Sequence, residues 1–243
     1  MKIAFLGIPR FGTIILEKLN QSAYRPDSVN ELGDIKNIKP DSIIVANFGE
    51  IIPQEILDIP RYGSLNVHPS LLPQHRGPSP IQTAILNGDK KTGVTIMLMD
   101  AQIDHGPILV QKETVIGPNE TYLQLHDRLA ILGAELLIDI IPDWIAGRIK
   151  LSQQDHKVAT YTKILTREDG KIDWKKSAEE IERQIRAFNP WPGAFTIWQK
   201  KRIKVLRARL ENDKLIITEV QPEGKKPMSF EAFQRGHKNF KIV

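Results

Sequence analysis

Apolar residues cluster along the chain into short unbroken runs separated by segments of helical spacing. Residues 2–7 (KIAFLG) and 41–49 (DSIIVANFG) are such runs ending in glycine, and 64–68 (SLNVH) is stopped by Pro69. Runs this short and this apolar predict strands buried on both faces, as in a parallel sheet. Residues 92–99 and 108–116 predict two more strands. Between them, 12–20, 53–59, 81–86 and 121–146 repeat apolar residues at three- and four-residue steps and predict helices, the last ending at Gly147. Residues 21–40 are polar and hold only a weak helical segment. Strands alternating with helices predict an α/β fold with a Rossmann-like, mostly parallel sheet, whose functional groups gather at the carboxyl ends of the strands.

The texture changes near residue 150. Residues 151–164 are polar and read as a linker. Residues 177–186 (SAEEIERQIR) predict a helix opened by a capping box, Ser177 with Glu180 three residues on. After the breaker run NPWPG (189–193), in which Trp191 is expected to pack at a junction, come the alternating segments AFTIW (194–198), RIKVLRARL (202–210) and KLIITEV (214–220). These predict a small OB-like β-barrel over 165–243. The division is therefore a first domain over 1–150, the linker, and a C-terminal barrel.

Charge follows the same division. The 243 residues carry a net +5, but residues 1–150 sum to −3 and residues 151–243 to +8. A basic C-terminal domain points to an anionic partner such as nucleic acid. The chain has no cysteine, which excludes a disulfide scaffold, a thiolate metal site and a cysteine nucleophile. No apolar run reaches the length of a membrane span, and the opening residues lack a signal-peptide pattern, so a cytoplasmic setting is expected.

Candidate chemistry is concentrated in two places. Asn66 and His68 lie two apart on one predicted strand, hence on one face, beside the Pro69 stop. An asparagine amide can donate to a developing oxyanion, and an imidazole can shuttle a proton. Asp100 and Asp104 lie in a loop between the next two strands, and either carboxylate could orient that imidazole. GIPRFG (7–12) is not the G-x-G-x-x-G fingerprint, because Pro9 replaces its second glycine, and it reads as a strand-to-helix turn. The remaining histidines show no metal-ligand spacing.

The block SLNVHPSLLPQHRGPSPIQTAILNGDKKTGVTIMLMDAQIDHGPIL (64–109) resembles the signature of the 10-formyltetrahydrofolate-dependent formyltransferases, and DSIIVANFGEIIP (41–53) resembles the strand and turn that precede it. LTREDGKIDWKKSAEEIERQIRAFNPWPGAF (165–195) and PEGKKPMSFEAFQRGH (222–237) resemble the C-terminal region of the members that act on methionyl-tRNA. The resemblance implies a catalytic set of Asn66, His68 and Asp104. It implies a folate loop at Ser70, Leu71, Leu72 and Pro73, 10-formyltetrahydrofolate as formyl donor, and no metal. It also implies a tRNA-holding basic barrel and transfer to the amino group of methionyl-tRNA through an oxyanion-stabilised tetrahedral intermediate.

Within the barrel, QKKRIKVLRARL (199–210) is the densest basic segment. Alternation puts Arg202 and Lys204 on one face and Ile203 and Val205 on the other, with Lys200 and Lys201 in the preceding turn. Lys200, Lys201, Arg202 and Lys204 are the expected phosphate contacts.

Two departures from the family pattern stand out. Residues 21–40 are too few for the strands and basic loop the family carries there, so 2–7 is expected as an edge or near-edge strand, through which the chain could form a homodimer. His105 follows Asp104 where the family has a small hydroxyl residue. The missing loop keeps other readings open: a nucleotide-sugar amine formyltransferase, a formyl-folate hydrolase, or a non-catalytic RNA-binding relative.

Overall fold

The structure, a computed structural model, describes residues 1–7, 10–28 and 32–240. The Ile8–Pro9 part of the first turn lies outside the described residues. The chain divides into two compact units, one of residues 1–80, 90–116 and 124–163, the other of 81–89, 117–123 and 164–243.

The first unit is built on a six-stranded sheet. Its strands are β1 (Ile3–Gly7), β2 (Asp27–Ser28), β3 (Ser42–Ala46), β4 (Ser64–His68), β5 (Lys91–Leu98) and β6 (Ile108–Val115), in the order β2-β1-β3-β4-β5-β6. The first four in that order are parallel, β5 runs antiparallel to β4, and β6 runs antiparallel to β5. The continuous apolar runs become the centre of the sheet: β3 is buried throughout, and β1 is buried except at Gly7. Helix α1 (Phe11–Asn20) buries Phe11, Ile15 and Leu19, one stripe at four-residue steps. The polar stretch after it still yields β2 and a helix, α2 (Leu32–Ile38), which buries Ile35. The 53–59 segment gives only the single-turn α3 (Gln54–Leu57).

β1 is therefore second from the edge, with β2 pairing to Ala4 and Phe5. The long helix α5 (Tyr122–Ile145) turns Leu125, Leu129, Ala130, Gly133, Ala134 and Leu137 inward. At Gly133 an added Cβ would sit 2.6 Å from Val67 Cγ1, so the absence of a side chain lets the helix lie close on the sheet at β4.

Residues 151–163 do not behave as a linker. They belong to the first unit, where Ser152 pairs with Ile108 and Tyr161 with Arg76. The physical reason is that this polar stretch pairs its backbone with the β6 start and with the loop after β4 instead of with water.

The second unit includes α4 (Pro80–Asn87) apart from its first residue. Its sheet has β7 (Phe195–Trp198), β8 (Lys201–Glu211), β9 (Lys214–Pro222) and β10 (Met228–Ser229), in the antiparallel order β10-β9-β8-β7. The expected barrel is an open sheet: among the described residues β7 and β10 do not pair. Its apolar face is covered instead by α6 (Ala178–Phe188) and α7 (Phe230–Gly236), with Ile181, Ile185 and Phe233 packed together with Ile203, Val205, Ile217 and Val220. The capping box at Ser177 forms as expected, with Glu180 N donating to Ser177 Oγ at 3.2 Å and Ser177 N to Glu180 Oε2 at 3.0 Å. Trp191 remains 49% exposed instead of packing away.

One buried histidine makes the first unit acid-sensitive. On α5, His126 is buried edge-on to Phe11, with its Nδ1 2.8 Å from Asp127, and Arg10 grips Asp127 through two hydrogen bonds of 2.9 and 2.7 Å. Burial pushes the His126 pKa below its ordinary 6.5, while the Arg10 hydrogen bonds hold Asp127 below its ordinary 3.8. For both groups the unfolded chain binds the proton at higher pH than the native one, so stability is full above the ordinary value and falls below it. Denaturant titrations should show stability declining from pH 7.5 to 5.5 through His126, and further below pH 4 through Asp127. In His126→Phe the first decline should shrink.

Candidate active site

Three segments meet at the carboxyl end of β4. Asn66 and His68 come from the strand itself, on the shared face that their spacing predicts. Asp104 comes from the loop between β5 and β6. The third segment is the loop after β4. Asn66 Nδ2 donates to Asp104 Oδ1 at 3.1 Å, His68 Nδ1 lies 3.4 Å from the same oxygen, and Gly77 N donates to Asp104 Oδ2 at 2.7 Å. The side chains of His68 and Asp104 are 5% and 11% exposed, so the carboxylate meets fixed donors in place of bulk water. His68 Nε2 lies 3.0 Å from the His75 carbonyl oxygen. Both ring nitrogens thus face acceptors, and a ring carrying protons on both satisfies both.

Of the two aspartates that the sequence leaves open, Asp104 reaches the imidazole of His68. Asp100 turns away: it accepts from Gln102 N at 2.9 Å and pairs with His105 Nδ1 at 2.7 Å. His105 in turn stacks on His156, with ring centres 4.0 Å apart and planes at 6°. The Asp104 loop is tight. Asp104 itself has φ 49°, in the left-handed region, and a Cβ added at Gly106 would collide with the Leu98 carbonyl oxygen. That approach is what lets Leu98 N bond to Pro107 O at 2.9 Å and close the turn.

The expected folate loop splits into two kinds of residue. Ser70 and Leu72 are buried and build the loop. Ser70 Oγ donates to Gln74 O at 2.6 Å, and Thr95 Oγ1 donates to Ser70 O at 2.7 Å while accepting from Leu72 N at 3.1 Å. Gln111 Nε2 secures the same point, donating to Leu72 O and to Thr95 Oγ1, both at 2.8 Å. Leu71 and Pro73 remain partly exposed, and these are the faces a ligand can touch.

Sequence reasoning missed Arg76 and Gln154. Arg76 is 1% exposed and Gln154 5%. Gln154 Oε1 accepts from Arg76 Nη2 at 2.7 Å and Nε at 3.2 Å, and its Nε2 donates to the carbonyls of Asp104 at 3.0 Å and Gly106 at 2.7 Å. The available signal was an arginine between a histidine and a glycine in the loop following the site strand. Nothing in the polar stretch around Gln154 marks it.

In the second unit the basic strand is placed largely as expected. Ile203 and Val205 are buried, and Arg202 and Lys204 alternate with them. Lys201 opens β8 and is not part of the turn, which is Gln199–Lys200 with φ of 48° and 63°. The cations differ in how they are engaged. Arg207 pairs with Glu219 and Arg209 with Glu211. Arg202 lies 3.8 Å over the Phe195 ring and 3.5 Å from Glu168. Among the described residues, Lys200, Lys201 and Lys204 have no carboxylate partner. Lys200, Arg202 and Lys204 line a concavity of about 530 Å³ together with Ile197 and Arg167, which sequence reasoning did not single out.

The formyl transferase family model matches residues 5–141, and the model of the formyl transferase C-terminal domain matches 164–215. The methionyl-tRNA formyltransferase of Roseiflexus castenholzii is 35% identical over 300 aligned positions, covering 97% of this chain and 96% of that protein. An alignment longer than the 243-residue chain opens gaps on this side. The solved methionyl-tRNA formyltransferase of Clostridium thermocellum superposes with a TM-score of 0.73 at 25% identity, over 91% of this chain and 98% of that one. The N-formyltransferase of Helicobacter canadensis, solved with folinic acid and dTDP-3-aminofucose, has the same fold at 21% identity, with a TM-score of 0.72 over 94% of this chain and 98% of that one. The clustering of Asn66, His68 and Asp104 at the end of β4 thus sits within a match that runs nearly the full length of both chains, and the protein belongs to the formyl transferase family.

Proposed function

We propose that the protein transfers the formyl group of 10-formyltetrahydrofolate to the amino group of methionyl-tRNA, in the cytoplasm. The observation that carries this reading is the convergence of Asn66 and His68 on the Asp104 carboxylate, in a chain that also presents unpaired lysines on its C-terminal sheet. Leu71 and Pro73 would flank the folate. The amine lone pair attacks the formyl carbon, a C–N bond forms, and the carbonyl electrons move onto oxygen. Asn66 has a second amide proton for that oxyanion, and protonated His68 adds positive charge beside it, a kind of stabilisation worth about 3 kcal/mol per donor. Asp104 takes the amine proton, directly or through water. The intermediate then collapses: the oxyanion electrons re-form the carbonyl, the bond from carbon to the folate nitrogen breaks, and that nitrogen takes the proton that Asp104 had accepted, directly or through water, which restores the carboxylate. No covalent enzyme intermediate is required.

The acceptor assignment rests on charge. Lys200, Lys201 and Lys204, together with Arg202, suit a phosphate backbone, which supplies affinity and orientation. An amino-sugar nucleotide would need the same Asn–His–Asp set but not three lysines, at the start of β8 and in the turn before it, that have no carboxylate partner among the described residues. Supplying the donor with charged methionyl-tRNA, uncharged tRNA or an amino-sugar nucleotide, and following folate release, tests the reading. Release with charged methionyl-tRNA alone is expected, and release with the amino sugar alone would overturn it.

Two variants test the parts. His68→Ala should lower kcat about 10²–10³-fold while shifting folate affinity far less, because the missing interaction belongs to the transition state. Replacing Lys200, Lys201, Arg202 and Lys204 by Ala should flatten the dependence of log affinity for tRNA on log salt by about 0.7–0.9 for each phosphate no longer neutralised. An unchanged slope would remove this strand from the tRNA site.

A further inference from the structure

Arg76 is a fully buried guanidinium with no carboxylate within ion-pair distance among the described residues. Its partners are all neutral: Gln154 Oε1 (2.7 and 3.2 Å), His156 Nδ1 (2.8 Å) and Tyr161 Oη (3.2 Å). Burying a cation carries a desolvation cost that a hydrophobic residue would avoid. The neutral partners therefore call for an explanation beyond packing.

The explanation lies in what Gln154 does with its other end. Because its oxygen accepts twice from Arg76, the amide cannot flip: a reversed amide would aim N–H groups at a cation. Its Nε2 is thereby committed to the carbonyls of Asp104 and Gly106. The same stretch of chain also holds the opposite side of the site. Arg76 N donates to Thr160 O at 2.9 Å, and Thr162 N donates to Arg76 O at 2.7 Å. The next residue, Gly77, gives its N–H to the Asp104 carboxylate. One polar strap, residues 154–162, thus joins the two loops that fix Asp104 from its backbone and from its carboxylate.

We infer that Gln154, locked by Arg76, is a positioning residue that sets the Asp104 carboxylate against Asn66 and His68. This rests on the assignment of Asp104 to the reaction proposed above. Holding the left-handed Asp104 turn at two carbonyls is the requirement. A shift of about 1 Å at a reacting group is enough to cost about 10²-fold in rate.

Gln154→Glu separates positioning from packing. The carboxylate keeps the shape and pairs with Arg76, so the fold is retained, but it places an oxygen with no proton against two carbonyl oxygens. The variant is expected to keep its thermal midpoint within about 4 °C of the parent. Its kcat should fall about 10–10²-fold, with KM for the folate donor changed less than about threefold. Gln154→Met, which removes the donor without adding charge, serves if the Glu form does not fold. Asp104→Asn is measured alongside, alone and combined with the Gln154 variant. If Gln154 acts through Asp104, the double variant is no slower than Asp104→Asn alone. Fully additive losses, or a Gln154→Glu kcat within about twofold of the parent, would overturn the inference. An Asp104→Asn form with full activity would instead overturn the reading of the site itself.

Discussion

A single carboxylate held by fixed donors organises the first unit. Asp104 receives Asn66, His68 and the backbone of Gly77, and its own carbonyl is held by Gln154. The donors come from three parts of the chain, β4, the loop after it and the stretch around Gln154, and each part has to be placed to within hydrogen-bonding distance. The buried parallel strands, the close packing of α5 at Gly133 and the closed turn at Leu98 and Pro107 all serve that placement. A buried carboxylate without those donors would be unstable in its charged form, so site and fold impose one requirement on the same residues.

The surroundings of that carboxylate divide into layers of different chemistry. The loop carrying Ser70 and Leu72 is satisfied entirely from within the unit, through Thr95 and Gln111, which leaves Leu71 and Pro73 as its outward faces. The strap over 154–162 is largely polar, and through Gln154, His156 and Tyr161 it holds the buried cation Arg76, which among the described residues has no counter-ion beside it. The His105–His156 stack lies next to Asp104, tied to Asp100 on one side and Arg76 on the other. In the second unit the charge pattern is selective. Two arginines of β8 are neutralised by glutamates on the same sheet, while the lysines around its start are not.

Much of this was legible from local pattern. Unbroken apolar runs identified β1 and β3, because a strand buried on both faces has few polar positions. The two-residue spacing of Asn66 and His68 placed them on one face, because alternation is a property of the strand itself. The capping box at Ser177, the four-residue stripe of α1 and the alternation of Ile203 and Val205 are likewise local, and so is the division of charge between the two halves of the chain. The resemblance of 64–109 and 165–237 to the formyltransferases carried the family, and the likeness to its named and solved members bears it out.

Other features depended on contacts between distant residues. Local pattern offered Asp100 and Asp104 equally, and the choice fell to the turn that aims Asp104 at His68 and Asp100 at His105. The polar run after residue 150 looked like a linker because its backbone partners lie some 45 to 85 positions earlier in the chain. The barrel failed to close because α6 and α7 cover the apolar face that further strands would otherwise have to bury. By itself the sequence determined the principal strands and helices, β2, β10 and α7 excepted, which faces they bury and where the basic charge lies, since each follows from near-neighbour periodicity. Only the tertiary structure decided that Arg76 and Gln154 stand behind the Asp104 carboxylate, because hydrogen bonds between distant residues leave no periodic trace.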